Sequence, residues 1–222
     1  MSEFFLELFS EEMPSNLQKN ARNNILQNFE DFFVKKKINF NKNCSFSTPN
    51  RLIVLFQGIK PEIKQEEIEI RGPKIDSNEK ALTGFLRSNN LEKKDLYEKE
   101  TDKGTFYFAK KPAKTIKVCE LLNANIPLIL DKISWKKSMK WGDLELYWGR
   151  PLKSILAVFN NKNLIFKYHH LESSNITFVD KDFEDKTIIF NSSIKYLNYF
   201  KKSKIFIDQN KRKNFIEKEL LK

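Results

Sequence analysis

Apolar residues recur along this chain with two different periods, and the periods separate strands from helices. Over residues 3–9 they alternate around Phe4, Leu6 and Leu8, which predicts a first strand. Residues 10–15 then turn into a helix: Pro14 suits its opening, and Glu11 and Glu12 lie at the positive end of its dipole. Leu17, Ala21, Ile25, Phe29, Phe32 and Phe33 follow at helical spacing, to about Lys37.

Residues 44–48 and 52–59 predict strands on either side of a turn at Pro49-Asn50, and residues 63–71 a further strand closed by Gly72-Pro73. Asp76, with Glu79 three positions on, has the spacing of a helix cap, ahead of an apolar face at Ala81, Leu82, Phe85 and Leu86. Asp102-Lys103-Gly104 turns into a strand over 105–110. A helix is expected from Thr115, with Pro127 ending or kinking it because proline removes an internal hydrogen bond. Residues 152–159 and 164–168, joined by 160–163, predict a hairpin; a helix over 193–201 and a strand over 204–207 follow. The last helix opens near Asp208 and meets no glycine or proline stop before Lys222, the pattern of a truncated chain. Strands and helices without a strict βαβ rhythm give an α+β expectation: mixed or antiparallel sheets packed with helices, with a subdomain boundary near residues 75–115.

Composition adds limits. With 40% hydrophobic residues and 20 phenylalanines, the chain can bury a substantial core. No run approaches the roughly 20 apolar residues of a membrane span. Glu3 and Glu7 occupy the place of the basic region of a secretion signal, so the cytoplasm is the expected compartment and no membrane partner is expected. Cys44 and Cys119 stand apart from any CxxC pattern and read as free thiols. A formal charge of +11 points to an anionic partner, nucleic acid being the commonest. Only six of the 40 basic residues are arginine, however, and abundant Lys, Asn, Ile and Phe is also the signature of an AT-rich coding sequence.

The chain has no phosphate-cradling glycine loop, no GxSxG and no HExxH, and its six glycines do not cluster. Accordingly no catalytic residue, metal site or bound cofactor is expected. His169-His170, on a strand, would point to opposite faces and could not readily share a metal. Glu11-Glu12 are explained by the helix start, and Lys35-Lys36-Lys37 by a helix end. Arg51, Arg71 and Arg150 each sit beside a turn; in a lysine-rich chain this suggests a defined partner, either an internal carboxylate or carbonyl or an RNA phosphate. Residues 136–142 interleave Lys137 and Lys140 with Trp141, close after Trp135. Such a segment either contacts a nucleic-acid backbone with a tryptophan stacked on a base, or anchors its tryptophans in the core. The candidate RNA contacts are therefore Arg51, Arg71, Lys137, Lys140, Trp141 and Arg150.

Taken together, these turns carry a resemblance. Glu7-Leu8-Phe9-Ser10-Glu11-Glu12-Met13-Pro14 resembles the E-[IL]-G-T-E-E-[LM]-P opening of the bacterial glycyl-tRNA synthetase beta subunit. Thr48-Pro49-Asn50-Arg51-Leu52 is similar to that family's [TA]-P-R-R-L, Arg71-Gly72-Pro73 to its R-G-P, and Asp102-Lys103-Gly104 to its D-K-G turn. Lys140-Trp141-Gly142 and Arg150-Pro151 match its M-R-W-G and F-x-R-P pair, and Tyr196, Leu197, Ile207 and Arg212 follow its later pattern. Asn50 replaces an arginine, Leu152-Lys153 stands where a histidine is usual, and Tyr168-His169-His170-Leu171 departs from the family's G-H-R-F element. The resemblance covers nearly the whole chain and implies the N-terminal region of such a subunit. It further implies a glycine–tRNA ligase of two alpha and two beta subunits, in which the alpha subunit forms the adenylate from glycine and ATP with magnesium and the beta subunit binds tRNA(Gly). Two other readings remain at this level: a generic basic RNA-binding module, and a structural subunit-interaction domain whose charge reflects codon usage.

Overall fold

The computed structural model describes residues 2–65, 67–179 and 187–222. The chain divides into two compact units: one made of the residues up to Ile63 together with Lys117–Lys222, the other of Lys64–Ile116. Strand β1 (Ser2–Ser10) leads to helix α1 (Ser15–Lys35), and strands β2 (Lys42–Thr48) and β3 (Arg51–Ile59) form a hairpin over Pro49-Asn50. β4 (Glu62–Gln65) precedes β5 (Ile68–Lys74), α2 (Glu79–Asn89), β6 (Leu96–Thr101) and β7 (Gly104–Lys111); β8 (Lys114–Lys117) then pairs with β4. Helix α3 (Val118–Leu130) is followed by the short hairpin of β9 (Met139–Lys140) and β10 (Tyr147–Trp148). β11 (Leu152–Phe159), β12 (Lys162–Asn163), β13 (Lys167–Tyr168) and β14 (Leu171–Ser174) come next. Then follow β15 (Ile176–Phe178), β16 (Thr187–Ile189), α4 (Ser193–Lys202) and α5 (Gln209–Leu220). The fold is α+β.

The larger unit is built around a sheet in the order β13-β14-β11-β1-β3-β2, with β12 on β11. Its pairings are antiparallel apart from β11 with β14. Both faces of the central strands are covered. Phe4, Leu6 and Leu8 of β1, with Val54 and Phe56 of β3, pack against Ile25, Phe29 and Phe33 of α1 and Leu122 and Ile126 of α3. Alternate residues point the other way: Phe5, Ile53, Leu55, Leu156 and Val158 meet Phe190, Tyr196 and Phe200. Rings make much of the contact, with Phe33 and Phe56 centroids 4.6 Å apart, edge to face. Each buried phenylalanine contributes about 1.5–3 kcal/mol of transfer free energy. This two-sided burial explains the consecutive buried run in β1, whose burial the alternation predicted on one face alone.

The smaller unit is an antiparallel sheet, β5-β7-β6, carrying α2. Phe106, Phe108 and Ala109 are buried there, and Phe85 of α2 packs where a side chain at Gly72 would stand, 3.0 Å from an added Cβ. Asp102-Lys103 is the two-residue loop between β6 and β7, and Gly104 follows it at φ +107°, a conformation side chains resist.

Several local expectations are corrected. The strand expected over 63–71 is two strands, β4 and β5. Asn78, not Asp76, caps α2, its side chain accepting from Lys80 N at 3.1 Å. Residues 115–117 belong to β8, so the next helix starts at Val118. Pro127 does not end it: Ile126, Ile129 and Leu130 are buried, and their packing offsets the roughly 3 kcal/mol cost of an internal proline. The hairpin turn at Asn160-Asn161 is present, both residues at positive φ, but its second arm is paired only over β12, with Leu164 N adding a bond to Ala157 O. Residues 205–207 are irregular rather than a strand; Ile207 is buried against the sheet, and Ile205 N bonds to Phe200 O behind α4. Asp208 caps α5 as expected, accepting from Asn210 N at 2.9 Å.

A candidate nucleic-acid interface

Three turns meet beyond one end of the central strands. Ser10 N donates to Asn50 O at 2.8 Å, Met13 N to Pro49 O at 2.7 Å and Glu11 N to Pro151 O at 2.9 Å. Lys153 adds an ion pair to Glu11 at 2.6 Å. The segments after β1, between β2 and β3, and before β11 thus close into one corner, although they lie far apart in sequence. Glu11 is therefore engaged across the corner rather than with the helix dipole, and no acid stands in the first turn of α1.

Behind this corner lies a buried polar network. Glu7 of β1 and Arg51 of β3 share the face that meets α4, with Arg51 Nε 3.2 Å from Glu7 Oε2. The Thr177 hydroxyl donates to Glu7 Oε1, and the Tyr196 hydroxyl donates to Glu7 Oε2. Arg51 Nη2 donates to the carbonyls of Phe178 and, at 2.8 Å, Val179, while its guanidinium lies 4.8 Å from the ring centroids of both Phe9 and Phe200. Burial raises the Glu7 carboxyl above its ordinary range, against the opposing pull of Arg51 and the hydroxyl donors. Burial and the nearby carboxylate raise the Tyr196 phenol. Arg51 is only 4% exposed, so this candidate contact spends its donors inside the protein.

Three of the other candidates do come together. Trp141 Nε1 donates to Trp148 O at 3.0 Å, tying the β9–β10 loop to β10, and the Arg150 guanidinium lies 5.8 Å from the Trp141 ring. Lys140 Nζ is 5.5 Å from the Tyr147 ring. Trp141 is half-buried against the core while Lys137 and Lys140 are exposed, so the tryptophan anchors the hairpin and still presents an edge beside cations. Met139 and Tyr147 are 53% and 60% exposed. Over residues 136–150 four cations face two carboxylates, Asp143 and Glu145. Arg71 belongs to the other unit, where its guanidinium is 3.5 Å from the Phe106 ring.

His169 and His170 form the tight turn between β13 and β14 rather than lying along a strand, with His169 at φ 51°. His169 Nε2 is 3.8 Å from an Asp131 oxygen, and its ring meets Tyr168 edge-on. Among the described residues no group of acids, histidines and cysteines could hold a metal, Cys44 and Cys119 are free, and no helix is long and apolar enough to cross a membrane. Sequence reasoning missed the partnership of Glu7, Thr177 and Tyr196. The available signal was an acid on the same strand face as Phe5 and Phe9.

The fold is an α+β scaffold in which three turns close one end of the central sheet, and the β9–β10 hairpin just before Pro151 holds Lys140 and an anchored Trp141 with Arg150 beside the indole. Residues 4–222 match the family model of the glycyl-tRNA synthetase beta subunit, and the chain belongs to that family. It is 33% identical over 221 residues to the glycine–tRNA ligase beta subunit of Rickettsia canadensis (strain McKiel), and 34% identical to those of Rickettsia akari (strain Hartford) and Rickettsia prowazekii (strain Madrid E). Each alignment takes in 100% of this chain and 33% of the relative, so the chain spans a third of the length of these relatives.

Proposed function

We propose that this chain acts as the N-terminal, tRNA-handling region of a cytoplasmic glycine–tRNA ligase beta subunit. It binds tRNA(Gly) and works with an alpha subunit, in a heterotetramer, that performs the ATP- and magnesium-dependent activation of glycine. The observation that carries the reading is the convergence of Lys140, Trp141 and Arg150 on one hairpin and turn. An exposed lysine and a half-buried arginine about an indole suit a phosphate backbone with a neighbouring base, as in single-strand recognition. Lys137 extends the same cationic run, and Arg71 offers a further exposed guanidinium on the smaller unit. Arg51 serves this surface indirectly, by holding β1 and β3 where their turns meet.

The test is fluorescence anisotropy of labelled tRNA(Gly) and a non-cognate tRNA against the chain, with and without alpha subunit, over a salt series. Cognate preference, a steep salt dependence and co-elution with the alpha subunit support the reading. Equal affinity for both tRNAs would favour a generic RNA module, and salt-independent association with the alpha subunit alone would favour a structural interaction domain.

A further inference from the structure

Two arginines meet at the edge of the large sheet. β2 is its edge strand, and Ser47 of β2 lies two positions before Pro49, whose carbonyl helps to close the corner. Helix α5 covers that edge: Gln209 Oε1 accepts from Ser47 N at 3.2 Å, and Arg212 Nη2 donates to Ser47 O, also at 3.2 Å. From α1, Arg22 Nη1 donates to the Ser47 hydroxyl at 2.9 Å. Two guanidiniums from helices far apart in sequence are thereby fixed on one residue.

Their charges are only partly balanced. Burial and the Arg212 charge lower the Arg22 pKa from its ordinary value, and Asp208 is the carboxylate that opposes them. Asp208 is itself engaged as the cap of α5, accepting from Asn210 N and Lys211 N. On α1 the neighbours at three and four positions are Gln18, Lys19, Ile25 and Leu26, so that face adds a cation and no acid. Both arginines are half-buried. Among the described residues Arg22 commits a single side-chain donor and Arg212 two, the second to Phe206 O at 2.9 Å. Neither carries a buried nitrogen without a partner, so the spare donors reach solvent. A carboxylate offers its oxygens in one plane, which a single fork fills. Phosphate oxygens are spread tetrahedrally and serve two forks at once, and the group supplies the missing negative charge.

We propose that Arg22 and Arg212 form a site for one RNA backbone phosphate at this sheet edge. The site deepens the tRNA reading and rests on it for the source of the phosphate. Carried by α1 and α5 on β2 rather than by the β9–β10 hairpin, it engages a phosphate other than those of Lys140 and Arg150.

The experiment has two arms, each run on the parent chain, Arg22→Gln and Arg22→Lys after far-ultraviolet circular dichroism confirms that they are folded. Where Arg22→Gln does not fold, Arg212→Gln is read in its place. The first arm compares melting temperatures in sodium phosphate and in sodium chloride of equal ionic strength. Phosphate is expected to raise the parent by about 2 °C or more over chloride, a gain lost in Arg22→Gln and partly kept in Arg22→Lys. The second arm is anisotropy of labelled tRNA(Gly) over a salt series. Arg22→Gln should reduce the slope of log affinity against log salt by about one, and Arg22→Lys should keep the parental slope. Combined with Arg150→Ala, Arg22→Gln should reduce it by about two. A mere brace between α1 and β2 would lower the melting temperature equally in both salts and leave the slope unchanged. That result overturns the site, and tRNA binding by the parent then leaves the docking reading standing. A phosphate gain lost in Arg22→Gln with an unchanged slope assigns the pair to free phosphate and overturns the RNA contact. The same loss without any tRNA binding sinks the docking reading, and the RNA source with it, while the anion site stands.

Discussion

Glu7 and Arg51 face each other across strands β1 and β3 with Oε2 and Nε 3.2 Å apart and side-chain exposures of 0% and 4%. Such a pair is costly to break from one side, because the remaining charge stays buried without its counter-ion, at about 3–5 kcal/mol. Arg51→Met is therefore expected to lower the unfolding free energy by about that amount, measured by urea denaturation. The double variant Glu7→Leu with Arg51→Met should recover much of the loss, since an apolar pair requires no buried charge. A single variant as stable as the parent would show that the pair contributes nothing to folding.

The same carboxyl sets a pH dependence. Burial raises the Glu7 pKa in the folded chain above its ordinary value, so the native state holds a proton that the unfolded state has released. In that window unfolding releases a proton, and stability falls as pH rises, by up to about 1.4 kcal/mol per pH unit. The contribution is fully present below the ordinary carboxylate range and is lost as pH climbs through the raised value. Urea midpoints followed upward from pH 4.5 should decline more steeply for the parent than for Glu7→Gln, which has no proton to lose. Parallel curves would remove Glu7 as the cause.

The sequence made the helices and most long strands legible because their apolar periods are local. α1 is visible in Leu17, Ala21, Ile25, Phe29, Phe32 and Phe33, all buried in the structure. The interior of the large sheet was less legible: Glu7 occupies a position that alternation assigns to a polar face, yet α4 covers that face with Tyr196 and Phe200. The partner carbonyls of Arg51 lie 127 and 128 positions away, beyond the range of any local pattern. At the candidate surface, the turn motifs were visible one by one. Their convergence depends on the backbone bonds joining Ser10 to Asn50 and Glu11 to Pro151, which sequence spacing does not encode. Short pairings such as β9 with β10 escaped because two residues a side carry no period.

If the β9–β10 hairpin and the turn at Arg150 dock RNA, their cations act chiefly through phosphates. Lys140→Ala and Arg150→Ala should each weaken tRNA(Gly) binding most at low salt and reduce the slope of log affinity against log salt by about one. Lys153→Ala, whose partner is Glu11, should change the slope less. The measurement is the anisotropy salt series, with tryptophan emission recorded for Arg150→Ala because its guanidinium lies beside Trp141. Unchanged slopes in both variants would place the RNA elsewhere.

In the smaller unit, Tyr97 donates its hydroxyl to Glu69, and Lys99 Nζ binds the same carboxylate at 2.9 Å. The hydrogen bond to Glu69 pushes the Tyr97 pKa up to about 12 from 10. Spectrophotometric titration should therefore show one phenol ionising later than in Glu69→Gln, where the charged acceptor is gone. Superimposable titrations would mean that the bond does not form in solution.

At Gly149 the backbone leading to β11 passes close against the Trp135 indole. A Cβ built there would stand 2.4 Å from Trp135 Cε3 and 2.6 Å from Cζ3, inside any tolerable contact. The obstacle is a rigid ring held against Trp148 at 4.9 Å, so relief requires the indole or the backbone to move. Gly149→Ala is expected to cost about 1–3 kcal/mol, the usual range for overpacking, and to shift tryptophan emission. Because Arg150 and Pro151 follow directly, and Pro151 O accepts from Glu11 N, the displacement should also loosen the corner. Affinity for tRNA(Gly) should then fall at temperatures where the variant remains folded. Parental stability and emission would show that the indole yields without resistance, and that Gly149 does not set the position of this turn.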